Sequence, residues 1–170
     1  KKMCLFITAA IPNSASLNEL NEIARNHHLE FLRIQNKFVE SQLPEGLIYL
    51  DKIPFHCDCN TVLGSHRTGT KRVIIDNAHL SPDVRDWFSF INTVVLNPNI
   101  GKFGLLLHFY HTNTEGEDVR LKGIRNVSIY DIGPEYLMRI RKDIFYQFME
   151  KEITKPPNIF LQRIIKIFRL

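Results

Sequence analysis

The residues best suited to chemistry form one short run, His56-Cys57-Asp58-Cys59, which holds two of the three cysteines of the chain. Thiolate and imidazole groups bind zinc and other borderline metals, and a thiolate is also a nucleophile. If the segment is extended, Cys57 and Cys59 lie on the same face, so that one metal ion could bind both sulfurs. The run therefore predicts a thiol site and leaves its ligand or reaction open.

A zinc ion at this run would need further ligands, because structural zinc is bound by four side chains in a tetrahedron. Three side chains are candidates for the remaining positions: Cys4, His56 and His66. Zinc-binding cysteines are usually separated by about two to four residues, whereas one residue separates Cys57 from Cys59. Half-buried structural thiols are the alternative. Among the thiol functions, metal binding ranks above redox chemistry, because a disulfide across one residue closes a small, strained ring.

A second chemistry is suggested by Met3-Cys4, because removal of an initiator methionine would leave an α-amino group beside the thiol. This start, with the later Gly64-Ser65-His66-Arg67, resembles the N-terminal-nucleophile glutamine amidotransferases, which carry Gly-His-x-Arg. Here the order is Gly-x-His-Arg, and Lys1-Lys2 precedes the cysteine. A small cysteine-dependent hydrolase or amidotransferase-like enzyme, using Cys4 or the Cys57/Cys59 pair, is therefore the alternative function. A cysteine buried on a first strand would explain Cys4 more simply.

Two stretches, Met3-Cys4-Leu5-Phe6-Ile7-Thr8-Ala9 and His56-Cys57-Asp58-Cys59-Asn60-Thr61, resemble a family of uncharacterised bacterial proteins. Those proteins begin with a Met-Cys-x-Phe-Ile-Thr strand and carry His-Cys-Asp-Cys-Gly-Thr. Asn60 stands in place of the glycine, and both residue types tolerate a left-handed turn. The resemblance covers about the first 65 residues. It implies a bacterial origin and a site at the cysteine run, without an established activity.

The composition is that of one globular domain, with 170 residues of which 44% are hydrophobic and 24% are charged. All of the net charge of +4 comes from residues 151–170, so the body has no basic excess and no nucleic-acid partner is expected. No run approaches about 18 consecutive apolar residues, so no membrane-spanning helix is predicted. Three cysteines without a disulfide framework predict a reducing, cytoplasmic location.

The elements that must position the cysteines alternate between strands and helices. Ser16 and Glu19 form a capping box before a first helix, Ser81-Pro82-Asp83 begins a second, and Gly133-Pro134-Glu135 begins a third that continues to Met149. Apolar runs predict strands at 4–11, 31–34, 47–50, 102–111, 119–121 and 126–132. Residues 54–70 are predicted to form a structured loop, long enough to have a function.

This order predicts an α+β fold, a mixed β-sheet with packed helices, compatible with a ferredoxin-like β-α-β-β-α-β core. Residues 1–155 form the predicted domain, and residues 156–170 form an added basic amphipathic helix beyond a proline hinge. The apolar side of that helix, within residues 158–170, either packs on the domain or contacts a membrane surface or protein partner. The predicted core contains Trp87, Phe88, Ile91, Leu105, Leu107, Phe109, Ile140 and Ile144.

Overall fold

A computed structural model describes residues 3–53, 57–65, 82–111 and 114–150, which contain one six-stranded sheet. The predicted C-terminal helix at 156–170 lies outside these residues. Within the described ranges, the strands and α-helices follow one another as β1 Cys4–Pro12, α1 Leu17–Arg25, β2 Glu30–Arg33, α2 Lys37–Glu40, β3 Leu47–Ile53, α3 Val84–Leu96, β4 Lys102–Tyr110, β5 Gly123–Ser128, α4 Pro134–Leu137 and β6 Ile144–Met149.

The sheet is mixed, and its strand order is β2-β3-β1-β4-β6-β5. Every neighbouring pair is antiparallel except β5 and β6, which are parallel. The segment β1-α1-β2-β3-α3-β4 places β1 between β3 and β4, and this is the order of a ferredoxin-like core. The predicted α+β class is confirmed, and β6 and β5 extend the core at the β4 edge.

The two faces of the sheet have separate cores, because alternate residues of a strand point to opposite sides. The face under α1 and α3, called the helix face, is almost entirely apolar and includes Ile7, Leu107 and Phe90. The other face, called the loop face, lies under α2 and residues 114–121 and includes Tyr49 and Tyr110. Of the predicted core, most residues are buried, while Phe88, Phe109 and Ile144 are only partly buried.

The N-terminal caps of the two longer helices, α1 and α3, agree only in part with the caps predicted from the sequence. Ser16 caps α1 and accepts a hydrogen bond from the Glu19 backbone, as predicted. The Glu19 carboxylate, however, accepts hydrogen bonds from Asn97 and Asn99, and so ties α1 to the end of α3. The cap of α3 is Asp83, whereas the predicted cap, Ser81, lies outside the described residues.

The prediction of one helix from Pro134 to Met149 is wrong. The helix α4 ends at Leu137, and residues 144–149 form strand β6 between β4 and β5. Alternating aromatic residues in β6 pack on both faces of the sheet, and strand pairing outweighs the helical spacing. Residues 119–121 are not a strand, and the strand predicted at 126–132 ends at Ser128 in a 3₁₀ turn.

No helix within the described ranges combines the length and the apolar character that a membrane crossing requires.

Candidate functional site

The segment Cys57-Asp58-Cys59, called the thiol loop, lies beside β1 where the pairing of β1 with β3 ends. The β1–β3 pairing covers only Thr8 to Pro12, although β3 continues along β2 as far as Ile53. Beyond that point, the Asp58 N–H donates to the Leu5 carbonyl at 2.7 Å. The Asp58 carboxylate accepts from the Ile7 N–H at 2.9 Å. The thiol loop therefore takes over the backbone groups of β1 that β3 leaves unpaired.

The two sulfurs of the thiol loop are joined in a disulfide, and the Cα atoms of Cys57 and Cys59 are 5.4 Å apart. Both cysteines are exposed to solvent. The Leu5 N–H donates to the Cys59 sulfur at 3.4 Å, so Cys59 has a fixed backbone donor. From the sequence, metal binding ranks above redox chemistry at this pair, whereas the structure contains the disulfide.

An ion pair anchors the thiol loop to β3. The Lys52 ammonium lies 2.8 Å from the Asp58 carboxylate, and the two side chains are only 13% and 11% exposed. With the two backbone contacts of Asp58, this pair fixes the middle of the loop without using either sulfur. Asp58 is not among the site residues predicted from the sequence, and the signal for its role is an acidic residue placed after a strand that carries Lys52.

Next to the anchor, the loop face contains a buried carboxyl group. Asp51 is 1% exposed and lies opposite Thr8 in the β1–β3 register. One carboxyl oxygen accepts from the Thr114 hydroxyl at 2.6 Å, and the other makes no hydrogen bond with the described residues. Burial, with a smaller contribution from the charge of Asp58, raises the pKa of Asp51 to about 6. This carboxyl group therefore titrates near neutral pH.

Two tyrosines extend this polar cluster across the sheet. The Tyr49 hydroxyl donates to the Thr8 hydroxyl at 2.7 Å and lies 3.0 Å from the Tyr110 hydroxyl. Burial raises the pKa of Tyr110 to about 12 and raises that of Tyr49 well above its ordinary value. Both phenols are therefore neutral hydrogen-bonding groups, and with Thr8 they form a buried structural network beside Asp51.

A histidine–aspartate pair lies on the same face, farther along β4. The His108 Nδ1 is 2.7 Å from Asp143, and the Lys122 ammonium is 2.5 Å from the other Asp143 oxygen. Burial alone would raise the pKa of Asp143, but hydrogen bonds from Lys122 and His108 bring it below its ordinary value. Asp143 also has a left-handed backbone, with φ at 63°. Asp143 is therefore held as an anion.

Within the described residues, Cys4 makes no hydrogen bond with His108 or Asp143. In the register of β1 and β4, Cys4 is opposite Tyr110 and Phe6 is opposite His108. The Phe6 and Tyr110 rings meet edge to face at 5.7 Å across the middle of this square. Cys4 is a free, half-buried cysteine on the first strand, in agreement with its simpler explanation.

The predicted metal ligands are brought together only in part. Cys57 and Cys59 are adjacent, and Cys4 precedes the residue that contacts the Cys59 sulfur. Across the described ranges, no group of three histidine, cysteine, aspartate or glutamate side chains is placed to hold one metal ion. His56 and His66 lie outside the described residues, so zinc binding stays a prediction.

Comparisons with known protein families, with curated proteins and with solved structures find no match to this chain. The resemblance of the first part of the chain to an uncharacterised bacterial family therefore stays a prediction.

Proposed function

We propose that the thiol loop is a redox site that reduces a disulfide in a partner molecule and becomes oxidised itself. The observation that carries this proposal is an exposed disulfide between Cys57 and Cys59, in a loop that is anchored independently of its sulfurs. Exposed disulfides are typically the labile, regulatory or catalytic ones.

The small size of the ring argues against a purely structural disulfide. In the chain-entropy model, a bond that closes a three-residue loop stabilises the folded state by only about 2 kcal/mol, compared with about 3 kcal/mol for fifteen residues. The backbone contacts of Asp58 and its ion pair with Lys52 already hold the loop against the sheet. The disulfide therefore adds little to the fold, and its exposure favours exchange with other thiols.

The two cysteines differ in that the Leu5 N–H donates to the Cys59 sulfur, and we use this difference to assign their roles. In the reducing direction, the Cys57 thiolate attacks one partner sulfur, and the partner disulfide breaks to leave a mixed disulfide on Cys57. The Cys59 thiolate, whose sulfur the Leu5 N–H contacts, then attacks the Cys57 sulfur. The loop disulfide forms, and the second partner sulfur leaves as a thiolate. Two electrons pass to the partner, and its two thiolates take up two protons.

In this proposal the protein works in a bacterial cytoplasm, as its cysteine count and its resemblance predict. Small monothiols of the glutathione class, the reductants of that compartment, then restore the dithiol. Two monothiols give up one electron each and leave as their own disulfide. The dithiol form also allows the predicted zinc site, in which the two sulfurs would share one ion with ligands outside the described residues.

The test is trapping of the mixed disulfide with a small disulfide-containing peptide, followed by mass spectrometry. We expect Cys59→Ser to accumulate the adduct on Cys57, because the resolving thiolate is missing. Cys4→Ser, the matched control, should turn over like the unmodified protein. Accumulation on Cys59 in the Cys57→Ser variant alone would reverse the assigned roles, and the absence of any adduct would refute the redox function. Stoichiometric zinc in the reduced protein, lost in Cys57→Ser, would favour the metal site instead.

A further inference from the structure

A cleft of about 380 Å³ lies at the end of β1 opposite to the thiol loop. Its walls are the residues that lead into β3 and β4, namely 44–47 and 100–102, and its other lining residues are Pro12 and Gln147. This volume is within the range of small-molecule sites, roughly 300–1,000 Å³. The cleft shares no residue with the thiol loop.

The two turns that form the walls are set by glycines. Gly46 and Gly101 have φ values of 78° and 71°, in the left-handed region that other residues rarely adopt. Backbone hydrogen bonds hold both turns, from Asn13 to the Gly46 carbonyl at 2.7 Å and from Gly101 to the Asn97 carbonyl at 2.8 Å. The walls are therefore formed without a ligand.

Gln147 lines the cleft with an amide that has no hydrogen-bond partner among the described residues. This residue lies on β6 opposite Gly104 and is 6% exposed. Within the described ranges, the buried side-chain polar atoms without a partner are limited to one Asp51 oxygen, so the Gln147 amide stays accessible to solvent or to a ligand. The Gln147 amide offers a donor and an acceptor side by side to whatever occupies the cleft.

Two opposite charges line the same cleft. Glu45 and Lys102 are exposed, and neither forms an ion pair with a described residue. Apolar surface from Pro12, Leu47 and Ile100 lies between these polar groups. The cleft therefore combines an anion, a cation, an amide and apolar walls.

We propose that this cleft binds a free α-amino acid whose side chain ends in an amide. The Lys102 ammonium binds the ligand carboxylate, the Glu45 carboxylate binds the ligand ammonium, and the Gln147 amide pairs with the ligand amide through two hydrogen bonds. The aliphatic part of the ligand packs against the apolar walls. An uncharged heterocycle would bind only the Gln147 amide and would leave Glu45 and Lys102 without a role. A zwitterionic amino acid therefore fits the cleft better. This site is independent of the proposed redox function.

L-Glutamine is the probe, and its binding is measured by calorimetry on the full chain. Glu45→Gln and Lys102→Gln should each weaken binding roughly fivefold, the size of one exposed ion pair. The matched controls, Glu40→Gln and Lys37→Gln, change exposed charges on α2 outside the cleft and should bind like the unmodified protein. Circular dichroism of each variant checks that it is folded.

A second series varies the ligand and leaves the protein unchanged, so that no loss of folding can imitate the result. L-Norleucine, which lacks the amide, should bind roughly tenfold more weakly than L-glutamine. N-Acetyl-L-glutamine, which lacks the ammonium group, should lose the contact with Glu45 and no longer respond to Glu45→Gln. The proposal is overturned if L-glutamine shows no saturable binding, if the charge variants match their controls, or if uracil binds more tightly than L-glutamine.

Discussion

The helix face and the loop face of the sheet are buried in different ways. The helix face holds aliphatic and aromatic side chains under α1 and α3. The loop face includes Thr8, Tyr49 and Tyr110, which are buried and joined by hydrogen bonds, and the buried Asp51, which accepts a hydrogen bond from Thr114. Burial without polar groups contributes stability through apolar area, whereas a buried ionisable group links stability to protonation. The carboxyl group of Asp51 precedes Lys52, which anchors the thiol loop.

The largest expected effect is on the helix face. Leu107, at 1% exposed, packs in the middle of β4, and Leu107→Ala should lower the free energy of unfolding by about 2–5 kcal/mol through the cavity that it leaves. Urea denaturation measures this change, and it should be nearly the same at pH 5 and pH 7 because no ionisable group is removed. A loss below about 1 kcal/mol would mean that the helix face is not the main core.

The anchor of the thiol loop should give the next largest effect. Asp58→Asn keeps an oxygen for the Ile7 N–H but removes the charge that pairs with Lys52, and we expect a loss of about 2 kcal/mol. Glu30→Gln is the matched control, because the Arg25–Glu30 pair is exposed, at 62% and 45%. Its effect should stay within about 0.5 kcal/mol. Equal losses in the two variants would remove the distinction between the anchor and an ordinary surface pair.

The buried carboxyl group of Asp51 should make the free energy of unfolding depend on pH. The pKa of Asp51 is raised from 3.8 to about 6, so the folded state binds this proton more tightly than the unfolded chain does. Its stabilising contribution is fully present below pH 3.8 and is lost as the pH rises through about 6. We expect Asp51→Asn to remove this loss. Between pH 4 and pH 7, the free energy of unfolding of the variant should therefore rise relative to that of the wild type by up to about 2 kcal/mol. Parallel stability profiles for the two proteins over this range would contradict the raised pKa.

The sequence predicts those parts of the fold that local patterns determine. The first strand, the Ser16 cap and the long helix α3 follow from apolar runs and capping residues, and the structure confirms them. The sequence predicts a helix where strand β6 lies, because the apolar residues of β6 also fit helical spacing. The pairing of β6 with β4 and β5 determines that this segment is a strand. A short stretch of sequence does not show which distant strands it will pair with.

The candidate site was predictable to a similar extent. The cysteine run marks the thiol loop by residue type alone. Its anchor depends on where the pairing of β1 with β3 ends, so the role of Asp58 could not be read from its position between two cysteines. The cleft near Gln147 is formed by four segments distant in the chain, and no motif marks it.

The central position of β1 has a consequence for synthesis of the protein. One neighbour of β1 is β4, and the Thr8 hydroxyl donates to a carbonyl 98 residues later in the chain. At roughly 5–20 residues per second, a ribosome needs about 5–20 s to make the residues between them. During that time the apolar β1 has an open edge on the nascent chain, a state prone to aggregation. Early occupancy by a chaperone would shield this strand until β4 emerges.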